Sequence, residues 1–332
     1  MERRTFIGTL AGGLLAAPLA ADAQQAGKVY SLGHIVPRNF DQPDRSEQRA
    51  WPAFVDGLRS LGWVEGKNIT FVRHPISGWT DLLKAAEEFV RINVDIILCL
   101  GGHRAQRIQE VTTKIPIVTL NSGELVSSGI VASLARAGGN ITGMQGYTPE
   151  LMRKNVQILK ELVPRLTRIA VLRRGPWHPG ILAAYKQGTD EAAQALGIRA
   201  RYVYFQNLDE LPALFSEIAR ERETAVIIWD DPGMALVASE VLTLTGQHRL
   251  ATMGEDAGWT RLGALVSYGA KLNDIYRQAA TYVDKILKGA KAADLPIGQP
   301  STFDLIINLK TAKALGLTIP LSLLQRADQV IE

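Results

Sequence analysis

Four short loops carry the residue types that hold a small charged or aromatic solute, and none carries a complete set for making or breaking a bond. Gly101-Gly102-His103 leads into a helical stretch at Arg104, and Asn121-Ser122-Gly123-Glu124 follows the apolar run Ile115 to Leu120. Glycine permits close backbone approach and the first N–H groups of a helix attract negative charge, so Gly102 and His103 are candidates for contact with an anion. Paired glycines also serve a tight turn, and both roles stay open. Asn121 and Ser122 offer an amide and a hydroxyl, with Glu124 beside them; an Asx-type turn accounts for the same residues. Further along, Arg173-Arg174-Gly175-Pro176-Trp177-His178-Pro179 could stack Trp177 on a planar solute and pair Arg174 with a carboxylate, or be an edge loop with a half-buried indole. In Trp229-Asp230-Asp231-Pro232, Asp230 suits a ligand ammonium and Asp231 suits the cap of the helix that Pro232 starts. Tyr268 and the pair Glu255-Asp256 lie at later strand edges, and Tyr268 fits a hinge equally well. Pro37-Arg38-Asn39-Phe40 reads as a solvent-facing loop.

Chemistry beyond binding finds no support in the spacing. The dinucleotide pattern Gly-x-Gly-x-x-Gly does not follow the first strand, where Pro37-Arg38-Asn39 stands. Gly62 to Asn68 lacks the Ser or Thr of a phosphate loop and precedes a strand where that motif needs a helix. The five histidines, His34, His74, His103, His178 and His248, show no metal-ligand spacing, and there is no Gly-x-Ser-x-Gly elbow. His103 or His178 could act as a base, but no nucleophile stands near either in sequence. No cofactor and no metal are expected.

The elements that must position these loops alternate. Strand-length apolar runs at Val29 to Val36, Asn68 to Arg73, Val94 to Leu100, Ile115 to Leu120 and Asn140 to Met144 are separated by helical stretches near Ser46 to Leu61, Trp79 to Arg91 and Arg104 to Thr112. That alternation predicts an α/β fold with a parallel sheet wrapped by helices. A second, similar set follows: a helix from Pro149 to Leu162, strands at Arg168 to Leu172, Arg199 to Phe205, Ala225 to Trp229 and Ala264 to Tyr268, and helices at Gly180 to Leu196, Asp209 to Glu221 and Pro232 to His248. A helix over Leu272 to Leu287, a late strand Phe303 to Asn308 and a short helix Lys310 to Leu315 complete the reading. A chain of 332 residues exceeds what one hydrophobic core usually organises, which points to two domains.

The first residues read as an address. Arg3-Arg4-Thr5-Phe6-Ile7 opens an apolar run to Leu19, and Ala21-Asp22-Ala23 supplies small residues for a signal peptidase. The run of about 14 apolar residues is short of the roughly 20 that cross a bilayer, so residues 1–23 are expected to be a cleaved export signal, with the twin-arginine route favoured over general secretion. Its removal takes equal numbers of basic and acidic residues, so the formal charge stays at +4. No basic track marks a nucleic-acid partner. The single cysteine, Cys99, lies within an apolar run and has no disulfide partner. With no cysteine closing the signal, a soluble periplasmic product is expected.

Taken together, the signal, Gly57 to Ile69 (GLRSLGWVEGKNI), Ile115-Pro116-Ile117-Val118, Ser128 to Gly143 (SGIVASLARAGGNITG), Ala280 to Gly289 (ATYVDKILKG) and Asn308 to Lys313 (NLKTAK) resemble the ABC-transporter substrate-binding proteins of the tryptophan/tyrosine-binding type. The resemblance covers nearly the whole mature chain. It implies a periplasmic binding protein of type I: two doubly wound parallel-sheet lobes, 28–146 plus 270–299 and 147–268 plus 301–332, joined by a three-crossing hinge near Gly146 to Thr148, Tyr268 to Lys271 and Gly298 to Thr302. It further implies an importer component, working as a monomer, that takes an amino acid or a related carboxylated or aromatic ligand and delivers it to a membrane permease. The same cleft would serve a ligand-sensing module on a membrane receptor or, more remotely, an exported α/β enzyme. Two departures fall in the contact loops. Relatives often carry Gly-Thr-Pro-Ala where this chain has Gly101-Gly102-His103 and Arg104, and Gly-Asp-Pro where it has Gly123-Glu124-Leu125.

Overall fold

The computed structural model describes residues 27–38, 46–123, 125–175, 179–229 and 233–332. Residues 1–23, expected to be an export signal, and the candidates Glu124, Trp177, Asp230 and Asp231 lie outside the described residues, as do Asn39, Phe40 and His178. The chain forms two mainly parallel sheets. In the first lie β1 (Tyr30–Pro37), β2 (Ile69–Ile76), β3 (Ile96–Cys99), β4 (Ile117–Ser122) and β5 (Ile141–Gln145). In the second lie β6 (Arg168–Arg174), β7 (Arg199–Phe205), β8 (Ala225–Ile228), β9 (Ala251–Gly254) and β10 (Val266–Ala270). The short β11 (Ile297–Gly298) then returns to the first sheet, and β12 (Phe303–Asn308) and β13 (Gln329–Ile331) close the second.

The spatial orders are β11-β5-β4-β3-β1-β2 and β13-β12-β10-β9-β8-β6-β7. Stripped of their late strands, both have the doubly wound order in which the second strand flanks the first on one side and the third flanks it on the other. Every pairing is parallel except β10 with β12. Strands covered by helices on both faces need no polar alternation, which is why β3 and β8 are short, wholly buried apolar runs. The chain passes between the sheets three times: after β5, after β10 and after β11. Helix Leu272–Leu287 belongs with the first sheet, because it packs on helix Ser46–Ser60; a Cβ on Gly57 would lie 2.9 Å from the Ala280 Cβ.

Local signals explain where several helices begin. Thr148 accepts a hydrogen bond from the Leu151 N–H at 3.3 Å, with Pro149 in the first turn, so helix Pro149–Leu162 starts where the sequence places it. Helix Trp79–Arg91 also has the predicted bounds and buries Leu82, Ala85, Ala86 and Phe89. Elsewhere the structure is more finely divided. β9, helix Ala257–Leu262, β11 and β13 are additional elements, and the stretch read as a helix from Pro232 is a 3-10 turn, Met234–Val237, before helix Ala238–Gln247.

The largest apolar cluster joins the lobes, running from Ile35, Phe89, Leu125 and Ile130 in the first to Met152, Tyr185, Trp229 and Met253 in the second. One ion pair fixes an edge of the second lobe. The Arg201 guanidinium on β7 donates to both carboxylate oxygens of Glu223, at 2.7 and 2.8 Å, and to Glu217 at 2.8 Å. The Glu223 side chain is buried and that of Arg201 keeps about a quarter of its surface, 24%. Glu223→Ala would leave a fork-shaped cation half served, a loss of about 1–2 kcal/mol after solvent screening, to be read as a lower denaturant midpoint.

Candidate ligand-binding cleft

In doubly wound sheets, ligands sit beyond the carboxyl ends of the strands, at the point where the strand order reverses. That point is between β1 and β3 in the first sheet and between β6 and β8 in the second. The two edges face each other. Gly180, in the first turn of helix Pro179–Ala195 after β6, lies against the backbone of Ser127 and Ser128, which follow β4.

On the first lobe the wall is built from the ends of β3 and β4. Gly101 turns the chain with φ 88°, a left-handed value that favours glycine, and its N–H donates to the Asn121 carbonyl at 2.8 Å. Helix Gly102–Gln109 starts there, with the Gly102 and His103 amides in its first turn, where no intrahelical acceptor exists. A Cβ on Gly102 would lie 2.6 Å from Leu125 Cδ2 and 3.1 Å from Ile130 Cδ1. Of the two roles open for this glycine, steric clearance therefore has a definite partner, the segment 125–130.

Asn121 and Ser122 are the last residues of β4 and are 9% and 0% exposed. Neither the Asn121 Oδ1 nor the Ser122 Oγ has a hydrogen-bond partner among the described residues. A desolvated hydroxyl or amide without a partner costs roughly 1–3 kcal/mol, and native proteins keep few of them. Both residues also touch the first crossing between lobes. The Ser122 carbonyl accepts from the Gly146 and Tyr147 amides at 2.8 and 3.3 Å, and a Cβ on Gly146 would fall 1.7 Å from Asn121 Oδ1. Gln145, fully buried, accepts from the Leu125 N–H at 3.1 Å and anchors the segment that carries Ser127 and Ser128.

On the second lobe, Arg174 Nη1 donates to the Gly233 carbonyl at 3.0 Å and so ties the end of β6 to the segment after β8. Arg173 instead turns to Tyr204, 4.8 Å from its ring. An aromatic series leads from the crossing into the lobe: Tyr147 to Tyr185 at 5.8 Å, Tyr185 to Trp229 at 5.2 Å and Trp229 to Tyr202 at 5.2 Å. Glu255, 1% exposed, follows β9, and Gly269 passes so close to its carbonyl that a Cβ would fall 1.6 Å away. Asp256 is the N-cap of helix Ala257–Leu262, accepting from the Gly258 N–H at 2.5 Å. Of the two adjacent acids, Asp256 is thus the one that caps the helix, which their adjacency in sequence could not separate.

Tyr268 lies inside β10, its ring stacked on Phe303 at 5.7 Å and its hydroxyl pKa raised, chiefly by burial. This places it in the antiparallel pairing of β10 with β12 inside the second sheet, where the chain is about to cross to β11. Arg38 is held by Ser77 Oγ at 2.5 Å and lies 3.7 Å from Asp81, and so serves the loop before helix Trp79–Arg91. For the candidates outside the described residues, the flanking residues Gly175 and Pro179, and Trp229 and Gly233, stand at the ends of β6 and β8.

The site's described residues hold no reactive nucleophile from the one thiol. Burial pushes Cys99 up to about 12, which keeps it protonated and inert. Among the described residues no group of three His, Cys, Asp or Glu could hold a metal ion, and no helix is long and apolar enough to cross a membrane. A groove of about 760 Å³ lined by Lys28, Tyr30, Asp95, Pro116, Asn140 and Lys291 lies at the opposite, amino-terminal ends of the first sheet's strands.

Residues 44–331 match the family of ABC transporter substrate binding proteins. The tyrosine-binding protein of Clostridioides difficile (strain R20291) is 22% identical over 284 residues, which are 82% of this chain and 78% of that protein. Among solved structures, the ABC domain in complex with L-Trp from Streptococcus pneumonia aligns at a TM-score of 0.82 and 21% identity, over 92% of this chain and all of that one, 100%. The ligand-free, open form of a substrate binding protein with adhesive properties from Clostridium difficile aligns at 0.66 and 20% identity, over 91% of this chain and 99% of that one. These structures share the two-sheet α/β architecture.

Proposed function

Because the chain belongs to the family of ABC transporter substrate binding proteins, we propose that it captures an amino acid, or a related carboxylated or aromatic solute, between its two lobes and delivers it to a membrane permease. The observation that carries this reading is the pair of buried polar atoms at the end of β4, Asn121 Oδ1 and Ser122 Oγ, which find no partner within the described residues. A ligand with an ammonium or hydroxyl group would supply the missing donor to the amide oxygen, and the serine hydroxyl would donate to a carboxylate. The ligands named for the relatives, tyrosine and L-Trp, have both kinds of group and an aromatic ring, and make these two amino acids the first compounds to try.

Mechanically, ligand binds to the open protein at the first lobe and the second lobe closes over it, 28–146 plus 270–299 moving against 147–268 plus 301–332. The ligand stabilises the closed state only by its extra contacts there. The protein is exported through its amino-terminal signal, by the twin-arginine route, and works in the periplasm as a soluble monomer that converts nothing.

A thermal-shift panel of amino acids, aromatic acids, nucleosides and short-chain acids tests this. L-tryptophan or L-tyrosine at 100 times its Kd should stabilise the fold by about 2.7 kcal/mol and be recovered unchanged. No shift with any amino acid would reject the ligand class, and a ligand consumed on incubation would reject the carrier.

A further inference from the structure

We propose that Gly180 determines ligand affinity by permitting closure: the bare Cα in the first turn of helix Pro179–Ala195 is the seat on which the two lobes meet, and any side chain there holds them apart. This rests on the reading of the chain as a two-lobe ligand carrier. A Cβ built on Gly180 would lie 2.3 Å from the Ser127 carbonyl oxygen, 2.9 Å from the Ser127 carbonyl carbon and 2.8 Å from the Ser128 Cα. All three are backbone atoms of the opposite lobe, so no rotamer change can relieve the contact.

Nor can that backbone easily yield. The Leu125 carbonyl accepts from the Ile130 and Val131 amides at 3.0 and 3.2 Å and from Ser128 Oγ at 3.0 Å, and Gly129 N–H donates to Val126 at 2.9 Å. Leu125 itself is held by Gln145 at 3.1 Å and fills the space beside Gly102. The segment 125–131 is therefore braced against the ends of β3, β4 and β5, and the clash is relieved by withdrawal of the second lobe. Gly180 does not have the left-handed φ that would itself demand glycine. Within its own helix, a residue with a Cβ is the better helix former, and the three atoms nearest to a Cβ at this place all belong to the first lobe. The requirement comes from across the cleft.

The effect separates from a structural one by sign and by rate. In Gly180→Ala and Gly180→Val, the ligand-free protein should melt at the parent temperature or slightly above. Binding of L-tryptophan and L-tyrosine, followed by calorimetry and stopped-flow fluorescence, should weaken by about tenfold or more through faster release, with association unchanged within about twofold, since closure acts on residence time. Small-angle scattering should show ligand-induced compaction in the parent and none in Gly180→Val. Parent-like release rates and compaction in Gly180→Val would overturn the proposal. If the parent binds neither amino acid, the ligand class fails and not the glycine; the same measurements are then made with the compound of the thermal-shift panel that raises the melting temperature most, and the same two results decide.

Discussion

Ser122→Ala is expected to weaken binding of L-tryptophan or L-tyrosine by about 10- to 100-fold while leaving the ligand-free protein as stable as the parent, or more stable. The two halves of this result have one cause. Ser122 is 0% exposed and its hydroxyl finds no partner among the described residues, so removing the oxygen removes a desolvation cost from the free protein. A hydrogen bond from that hydroxyl to a charged ligand group contributes roughly 1.5–3 kcal/mol, which is the predicted loss. Asn121→Ala should act in the same direction on binding, but it also strips the packing between the Asn121 amide and Gly146, so some loss of stability is expected with it. Calorimetry for affinity and thermal melting for stability read the two quantities separately. An unchanged dissociation constant for Ser122→Ala would reject the end of β4 as the ligand contact.

The second large effect is on stability against pH. His34, on β1, is 3% exposed, and its ring stacks on Trp51 at 4.2 Å with the Arg73 guanidinium over the other ring of the pair, 5.3 Å from Trp51. Burial, helped by the Arg73 charge, lowers its pKa from 6.5 to about 3. The folded protein thus disfavours the imidazolium that the unfolded chain forms readily. For a depressed folded-state pKa the stabilisation is complete above pH 6.5 and is lost as the pH falls towards 3. The slope is about 1.4 kcal/mol per pH unit, or about 2 kcal/mol between pH 6.5 and pH 5, a window in which ordinary carboxylates remain ionised. Denaturant midpoints across that window should fall in the parent and stay nearly level in His34→Asn, whatever the variant's absolute stability. Equal slopes in both would show that folding does not depress the His34 pKa.

How much of this was legible in the sequence depended on whether the cause was local. The bounds of helices Trp79–Arg91, Pro149–Leu162 and Leu272–Leu287 follow from apolar spacing and, at Pro149, from a Thr-Pro start, and the structure has them at those residues. β9 was not legible, because Ala251-Thr252-Met253-Gly254 is four residues long with one β-branched side chain and is made a strand by its neighbours β8 and β10. The two-residue β11 exists only because β5 is there to pair with it. At the cleft, residue type pointed to Asn121 and Ser122, but an Asx turn and a ligand contact use the same residues. Whether those side chains find partners in three dimensions bears on the choice, and no spacing records that; among the described residues Asn121 Oδ1 and Ser122 Oγ have none. At Gly102 the sequence suggested a backbone approach to a ligand or a tight turn, and it could not show the close packing of Leu125 and Ile130 against that residue. The contact of Gly180 with Ser127 and Ser128 joins two segments from different lobes and was invisible for that reason.

A crystal structure grown with L-tryptophan or L-tyrosine tests the central claim most directly. The amino acid should lie between the lobes, with its polar groups within hydrogen-bond distance of Ser122 Oγ and Asn121 Oδ1 and with Gly180 seated on Ser127 and Ser128. An amino acid bound elsewhere on the molecule, or lobes closed in this way with the solute touching neither side chain, would contradict it.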